Sequence, residues 1–273
     1  MKLKIGIAPQ QTLYLYVILM GLVGGMAVAY AFLHLPKSDA ALLFMLLGLT
    51  VLAQAGSLPL FGETSVSMSY ALAFVALLVY GPAGAILVNL LSGLVHAVYP
   101  KRRPWFKVLF NLGALSASAS VSGFVYWLAG GHVPPSDLVG NIGPALLAGL
   151  AYFFFNTAAV SLAITLANGQ PFLKVWNTNH RWLVLHFLAV AIISMAMATI
   201  FRIDGPLGVL IFSPTLAVPW LAATAYVKKL KEIEARNVEF ERENRDLRRA
   251  YEDLQRRFQG RSHPGGATPI GRA

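Results

Sequence analysis

The chain has 273 residues, of which 56% are hydrophobic and only 12% charged, and its mean hydropathy is +0.61. A soluble domain of this length carries about twice that charged fraction, so composition excludes an ordinary water-exposed globule and points to a lipid bilayer. Cysteine is absent, which excludes disulfides, thiolate chemistry and Cys-ligated metal.

Eight apolar spans are predicted: Thr12 to Leu33, Ala40 to Ser57, Val66 to Tyr80, Pro82 to Tyr99, Pro104 to Ala129, Leu138 to Ala167, Arg181 to Phe201 and Pro206 to Tyr226. They rest on intervals without charge, Ala40 to Gly62, Thr64 to Pro100, Val108 to Ser136, Leu138 to Leu173 and Gly205 to Val227, each with room for a span of about 20 residues. Pro82, Pro104 and Pro206 mark helix starts, where a missing N–H costs nothing. As a single helix, Val66 to Tyr99 would reach about 50 Å against a hydrocarbon core of about 30 Å. Gly81 and Pro82 stand at its middle, so a tight hairpin is expected there, with a seven-span arrangement as the alternative. The first apolar run carries an A-x-A motif at Ala27 to Ala29, the mark of a cleaved leader. It continues to Leu33, which favours a retained helix.

With both ends in the cytosol, all of the 22 basic residues except Lys37 and Arg202 fall on the inner side. The net charge of +10 is therefore a topology signal, not the footprint of nucleic acid. Localisation in a bacterial inner membrane with a cytoplasmic C-terminus follows as an expectation.

Polar side chains within a bilayer are expensive and face the bundle interior or a cavity. Asn89, Ser92 and His96 recur at three and four residues on one helix face, and Asn111, Ser118 and Ser122 do much the same on the next. With Glu63 at the mouth of the hairpin, Asn89, Ser92, His96, Asn111 and Ser118 are candidate ligands for a small polar solute. The competing explanation is that such residues glue helices together, at about 0.6 kcal/mol per interhelical bond. Gln54, Asn156 and His186 have no partner identifiable from spacing. Lys101, Arg102, Arg103, Trp105 and Lys107 form a basic and aromatic cluster at the expected lipid interface, fit to anchor topology or attract anionic head groups. No His-x-x-x-His pair, H-E-x-x-H motif or nucleophile–base arrangement occurs. Neither metal site, cofactor nor enzymatic activity is expected.

After residue 225 the character changes. Tyr226, Leu230, Ile233, Asn237, Phe240, Asn244, Leu247, Tyr251, Leu254 and Phe258 alternate at spacings of four and three, the seam of a coiled coil. Asn237 and Asn244 then occupy a positions, where a buried amide fixes register in parallel dimers. Between parallel helices Lys229 meets Glu234, Arg236 meets Glu241 and Glu243 meets Arg248. All three pairs attract, each by only about 0.2 to 1 kcal/mol, so they select orientation more than they stabilise. The dimerisation residues are thus Leu230, Ile233, Asn237, Phe240, Asn244, Leu247, Tyr251, Leu254 and Phe258. The Gly- and Pro-containing end, Gln259 to Ala273, is expected to be disordered.

The stretch ETSVSMSYALAFVALLVYGPAGAILVNLLSGLVHAVYPKRRPWFKVLFNLGALSASASVSGFVYW, Glu63 to Trp127, resembles the multi-span membrane regions that precede HD-GYP, GGDEF or histidine kinase domains in bacteria. More loosely it resembles the substrate-binding S components of energy-coupling-factor transporters, which share a serine-started short helix, a Gly-Pro turn and a small-residue helix. NRDLRRAYEDLQRRF, at 244–258, looks like the helical linker joining such regions to their output domains, none of which follows here. The expected architecture is all-α: a polytopic transmembrane bundle over residues 1–225, a cytoplasmic parallel coiled coil over 226–258 and a tail over 259–273. The resemblance implies a membrane sensor or regulator; with the heptad pattern the expectation is a homodimer lacking a catalytic output domain, with the lipid bilayer, itself and a cytoplasmic signalling protein as partners. The alternatives are a transporter component and a scaffold that recruits a soluble protein.

Overall fold

The computed structural model describes residues 9–34, 39–59 and 65–261, and within them the fold is all-α. The chain divides into two compact units, residues 1–223 and 224–273.

The first unit opens with α1 (Pro9–Leu33), α2 (Ala40–Ala55), α3 (Ser69–Tyr80) and α4 (Pro82–Val98). It continues with α5 (Trp105–Leu128), α6 (Leu138–Asn168), α7 (Phe172–Asn179) and α8 (Val184–Phe212), and α9 (Ala217–Arg261) begins within it. A two-residue antiparallel pairing, Leu58 with Val66 and Pro59 with Ser65, closes the connection from α2 to α3. Local chemistry sets the ends. Pro82 and Pro104 lie at or just before helix starts, and the Asp137 carboxylate caps α6 by accepting from the Gly140 N–H at 2.6 Å. Gly169, at φ 67°, terminates the same helix.

α3 is the centre of the unit. Every side chain from Ser69 to Val79 is buried, and the helix packs on α2, α4 and α8. A helix apolar on all sides must be enclosed on all sides; here protein encloses it, and at 12 residues it reaches only about 18 Å. On the periphery, α1 turns Leu15, Leu19, Leu22 and Met26 outward, a stripe tolerable against lipid and not against water.

This corrects the count of spans. Among the described residues, four helical stretches are long and apolar enough to cross a bilayer, Gln10–Leu33, Trp105–Leu128, Leu138–Asn168 and Arg181–Thr215, and α2, α3 and α4 are shorter apolar helices. Freedom from charge measures how apolar a segment is, not how long a straight helix it forms or what covers it.

The predicted corner at Gly81–Pro82 is present, with Gly81 at φ 75°, ψ −167°. The same conformation recurs at Gly205–Pro206 (φ 64°, ψ −153°), so α8 is two helical arms that meet where the sequence placed the end of one span and the start of the next. Beyond that corner the single span expected over Pro206 to Tyr226 is interrupted by the 3-10 turn Ser213–Leu216, which contains Pro214.

Residues 224–261 continue α9 as one helix. Its seam is exposed: Ile233, Phe240, Leu247, Tyr251 and Leu254 all face outward. The helix runs through Arg261, so residues 259–261 are helical and not part of a disordered tail. Residues 262–273, Glu63 and the side chain of Phe258 lie outside the described set.

α1 and α5 meet through glycine. A Cβ on Gly24 would strike the Gly113 backbone, and one on Gly113 would strike the Met20 carbonyl, so small residues let the two backbones touch. Gly113→Val is expected to destabilise the bundle by about 3 kcal/mol or more, seen as a large drop in melting temperature in detergent. Gly25→Ala, where nothing lies within 4 Å of the added carbon, serves as the neutral control.

Candidate functional site

Within the first unit lies an open cavity of about 870 Å³, at the upper end of the range for small-molecule sites. Many polar side chains gather on its wall. Asn89, Ser92 and His96 come from α4, Asn111 and Lys107 from α5, Gln54 from α2, Tyr152 and Asn156 from α6, and His186 and Phe187 from α8.

The Gln54 amide is the hub. Its Oε1 accepts from the Ser69 hydroxyl at 3.0 Å, and Ser92 Oγ lies 2.9 Å from the same oxygen and 2.8 Å from Ser69 Oγ. One hydroxyl proton serves one acceptor at a time, so Ser92 to Ser69 to Gln54 forms a chain whose members polarise one another. With Oε1 taken, Gln54 Nε2 faces His96 Nδ1 at 3.2 Å. Nδ1 must then accept, which leaves the imidazole proton on Nε2. Ser67 ties the neighbouring ends together, donating to the Ala53 carbonyl and accepting from the Ser69 N–H, both at 3.1 Å.

Asn89 joins three helices. Its Nδ2 donates to the Leu115 carbonyl of α5 at 2.9 Å and to the Tyr152 hydroxyl of α6 at 3.0 Å. Tyr152 belongs to an aromatic group with Tyr70 and Phe187, at centroid separations of 4.7 Å for the two tyrosines and 4.3 Å between Tyr70 and Phe187. The Tyr70 side chain is 7% exposed, and its hydroxyl has no hydrogen-bond partner among the described residues.

The wall also carries Arg103, Lys107, Lys174 and His180. His180 is buried and lies 3.1 Å from Ser161 Oγ through Nδ1. Burial pushes its pKa down from 6.5 to about 4, so the ring is neutral at physiological pH.

Of the residues singled out in the sequence, Asn89, Ser92, His96 and Asn111 stand on this wall. Ser118 does not; its hydroxyl is spent on the Ala114 carbonyl one turn back, at 2.6 Å. Ser122 likewise fastens α5 to α6 through the Ala148 carbonyl at 2.8 Å. Gln54, Asn156 and His186, for which spacing offered no partner, line the cavity with Tyr70, Tyr152 and Lys174. The basic cluster is divided: Lys101, Arg102 and Trp105 are exposed, and Trp105 stacks on Tyr14 at 6.2 Å, whereas Arg103 and Lys107 line the cavity. Among the described residues no three His, Cys, Asp or Glu side chains gather as metal ligands.

Two expectations test this arrangement. Gln54→Leu strands the Ser69 and Ser92 hydroxyls and should cost about 1 to 3 kcal/mol, while adding Ser69→Ala and Ser92→Ala should recover most of the loss, because removing both partners is cheaper than orphaning one. Thermal melting of the purified variants measures both. For His180 the unfolded chain binds more protons than the folded one between about 4 and 6.5, so stability falls as pH is lowered through that window. His180→Asn should flatten the corresponding part of a melting-temperature profile against pH.

Residues 41–223 match the model of the MASE9 family. The match takes in α2 to α8 and ends where the first compact unit ends. No curated protein and no solved structure matches the chain.

Proposed function

This chain belongs to the MASE9 family of membrane-associated sensor domains, and from that premise we propose that the polar cavity of the first unit is its sensory site. The protein is a multi-pass bacterial inner-membrane sensor whose C-terminal helix lies in the cytosol and pairs with a second copy. The observation that carries this is the wall itself: polar side chains from seven helices, α2 to α8, around one open volume, in a unit with many apolar side chains on its outer surface. Gln54, Ser69, Ser92, His96 and Asn89 also bind neighbouring helices, but they do so around an open volume, whereas Ser118 and Ser122 are spent away from it.

A solute that binds two arrangements of the wall differently shifts the balance between them. α8 contributes His186 and Phe187 to the wall and leads through Gly205 toward α9, the element in which a shift becomes a change of pairing. Asn237 and Asn244 at a positions keep such a pairing marginal. The exposed seam of α9 supports a partner helix there, and the complementary charges at g and e favour an identical, parallel one. A transporter component would use the same cavity, with the coil as an assembly handle; a pairing insensitive to cavity occupancy favours it.

The absence of cysteine makes the test clean. Leu247→Cys is introduced alone and together with Asn156→Trp, which fills the cavity from its wall, and disulfide formation is followed in membranes. A crosslinked dimer is expected from both, with its extent changed about twofold or more by the tryptophan. A chain that never crosslinks overturns the dimer, and identical crosslinking in the two overturns coupling of the cavity to the helix.

A further inference from the structure

On the reading of the cavity as a solute site, the geometry points to an organic anion as its occupant: a planar body bearing a phosphate or carboxylate group. Arg103 and Lys174 line the cavity, and among the described residues no aspartate or glutamate does. Cationic groups on such a wall attract anions and repel cations.

Arg103 carries the argument further. Its Nε is buried without a hydrogen-bond partner among the described residues. A guanidinium donor taken out of water and left unpaired is costly, and its planar fork matches the paired oxygens of a carboxylate or phosphate. The cavity is also far larger than an inorganic ion requires, so the oxyanion must bring a body with it. Tyr70, Tyr152 and Phe187 form an aromatic patch of the wall on which that body can rest. The oxyanion can come from a soluble metabolite or from a lipid headgroup reaching in through the open mouth.

The full chain in phosphatidylcholine nanodiscs is titrated calorimetrically with phenyl phosphate, and with benzamide as a neutral probe of similar shape. Phenyl phosphate should bind about tenfold or more tightly than benzamide. Arg103→Gln and Lys174→Gln should each weaken it about tenfold, with Lys174→Gln, at an exposed position, leaving the fold intact. In nanodiscs containing phosphatidylglycerol, a loss of phenyl phosphate affinity that Lys174→Gln removes identifies the headgroup as the resident anion, and unchanged affinity identifies a soluble one; both support the anion site. Equal binding of benzamide and phenyl phosphate, or indifference to Arg103→Gln and Lys174→Gln, overturns the anion while leaving a solute cavity. Failure of phenyl phosphate to bind also overturns it, whereas the sensory role stands or falls separately on the crosslinking at Leu247.

Discussion

A polar side chain surrounded by hydrocarbon has no water to turn to, and its search for partners fixes where these helices lie. Gln54 draws α2 onto α3 and α4 through two serines and a histidine. Asn89 draws α4 onto α5 and α6, Ser194 holds α8 to the Ala71 carbonyl of α3 at 3.2 Å, and the Tyr16 hydroxyl of α1 reaches the Ala159 carbonyl of α6 at 3.1 Å. Dispersion packing would accept many relative rotations of such apolar helices; these few bonds accept very few. Where the same groups cluster and are not all consumed, a cavity with a chemical preference is left behind.

Helix ends were legible in the sequence because their causes are local. Pro82, Pro104, Pro206 and the corner at Gly81 act within a few residues of where they stand, and the structure places breaks at each. The number of crossings was not legible. α3 is as free of charge as a true span, yet it is wrapped in protein, and nothing in its own residues distinguishes a neighbour's leucine from a lipid chain. α7 escaped notice because Phe172–Asn179 is one short amphipathic helix inside a polar connection.

The site was half legible. Asn89, Ser92 and His96 share a face by helical period, so one wall could be drawn from spacing alone. Gln54 could not be joined to it, because its partners lie 38 and 42 residues away and only the tertiary fold brings them near. Tyr70 and Tyr152 were hidden among the apolar residues they resemble. Arg103 and Lys107 were read as anchors of topology, a role open to any basic residue at an interface, and their second position on the cavity wall depends on how α5 enters the bundle.

The corner at Gly205 has a mechanical consequence. From Phe187, on the cavity wall, to Gly205 the first arm of α8 rises about 27 Å, and an α-helix of that length without an internal break is stiff. Tilting that lever by about 2° about its cavity end would carry the corner through about 1 Å. The chain beyond then receives a displacement comparable to a side-chain repacking, although nothing near the ligand need have moved by more than a fraction of that.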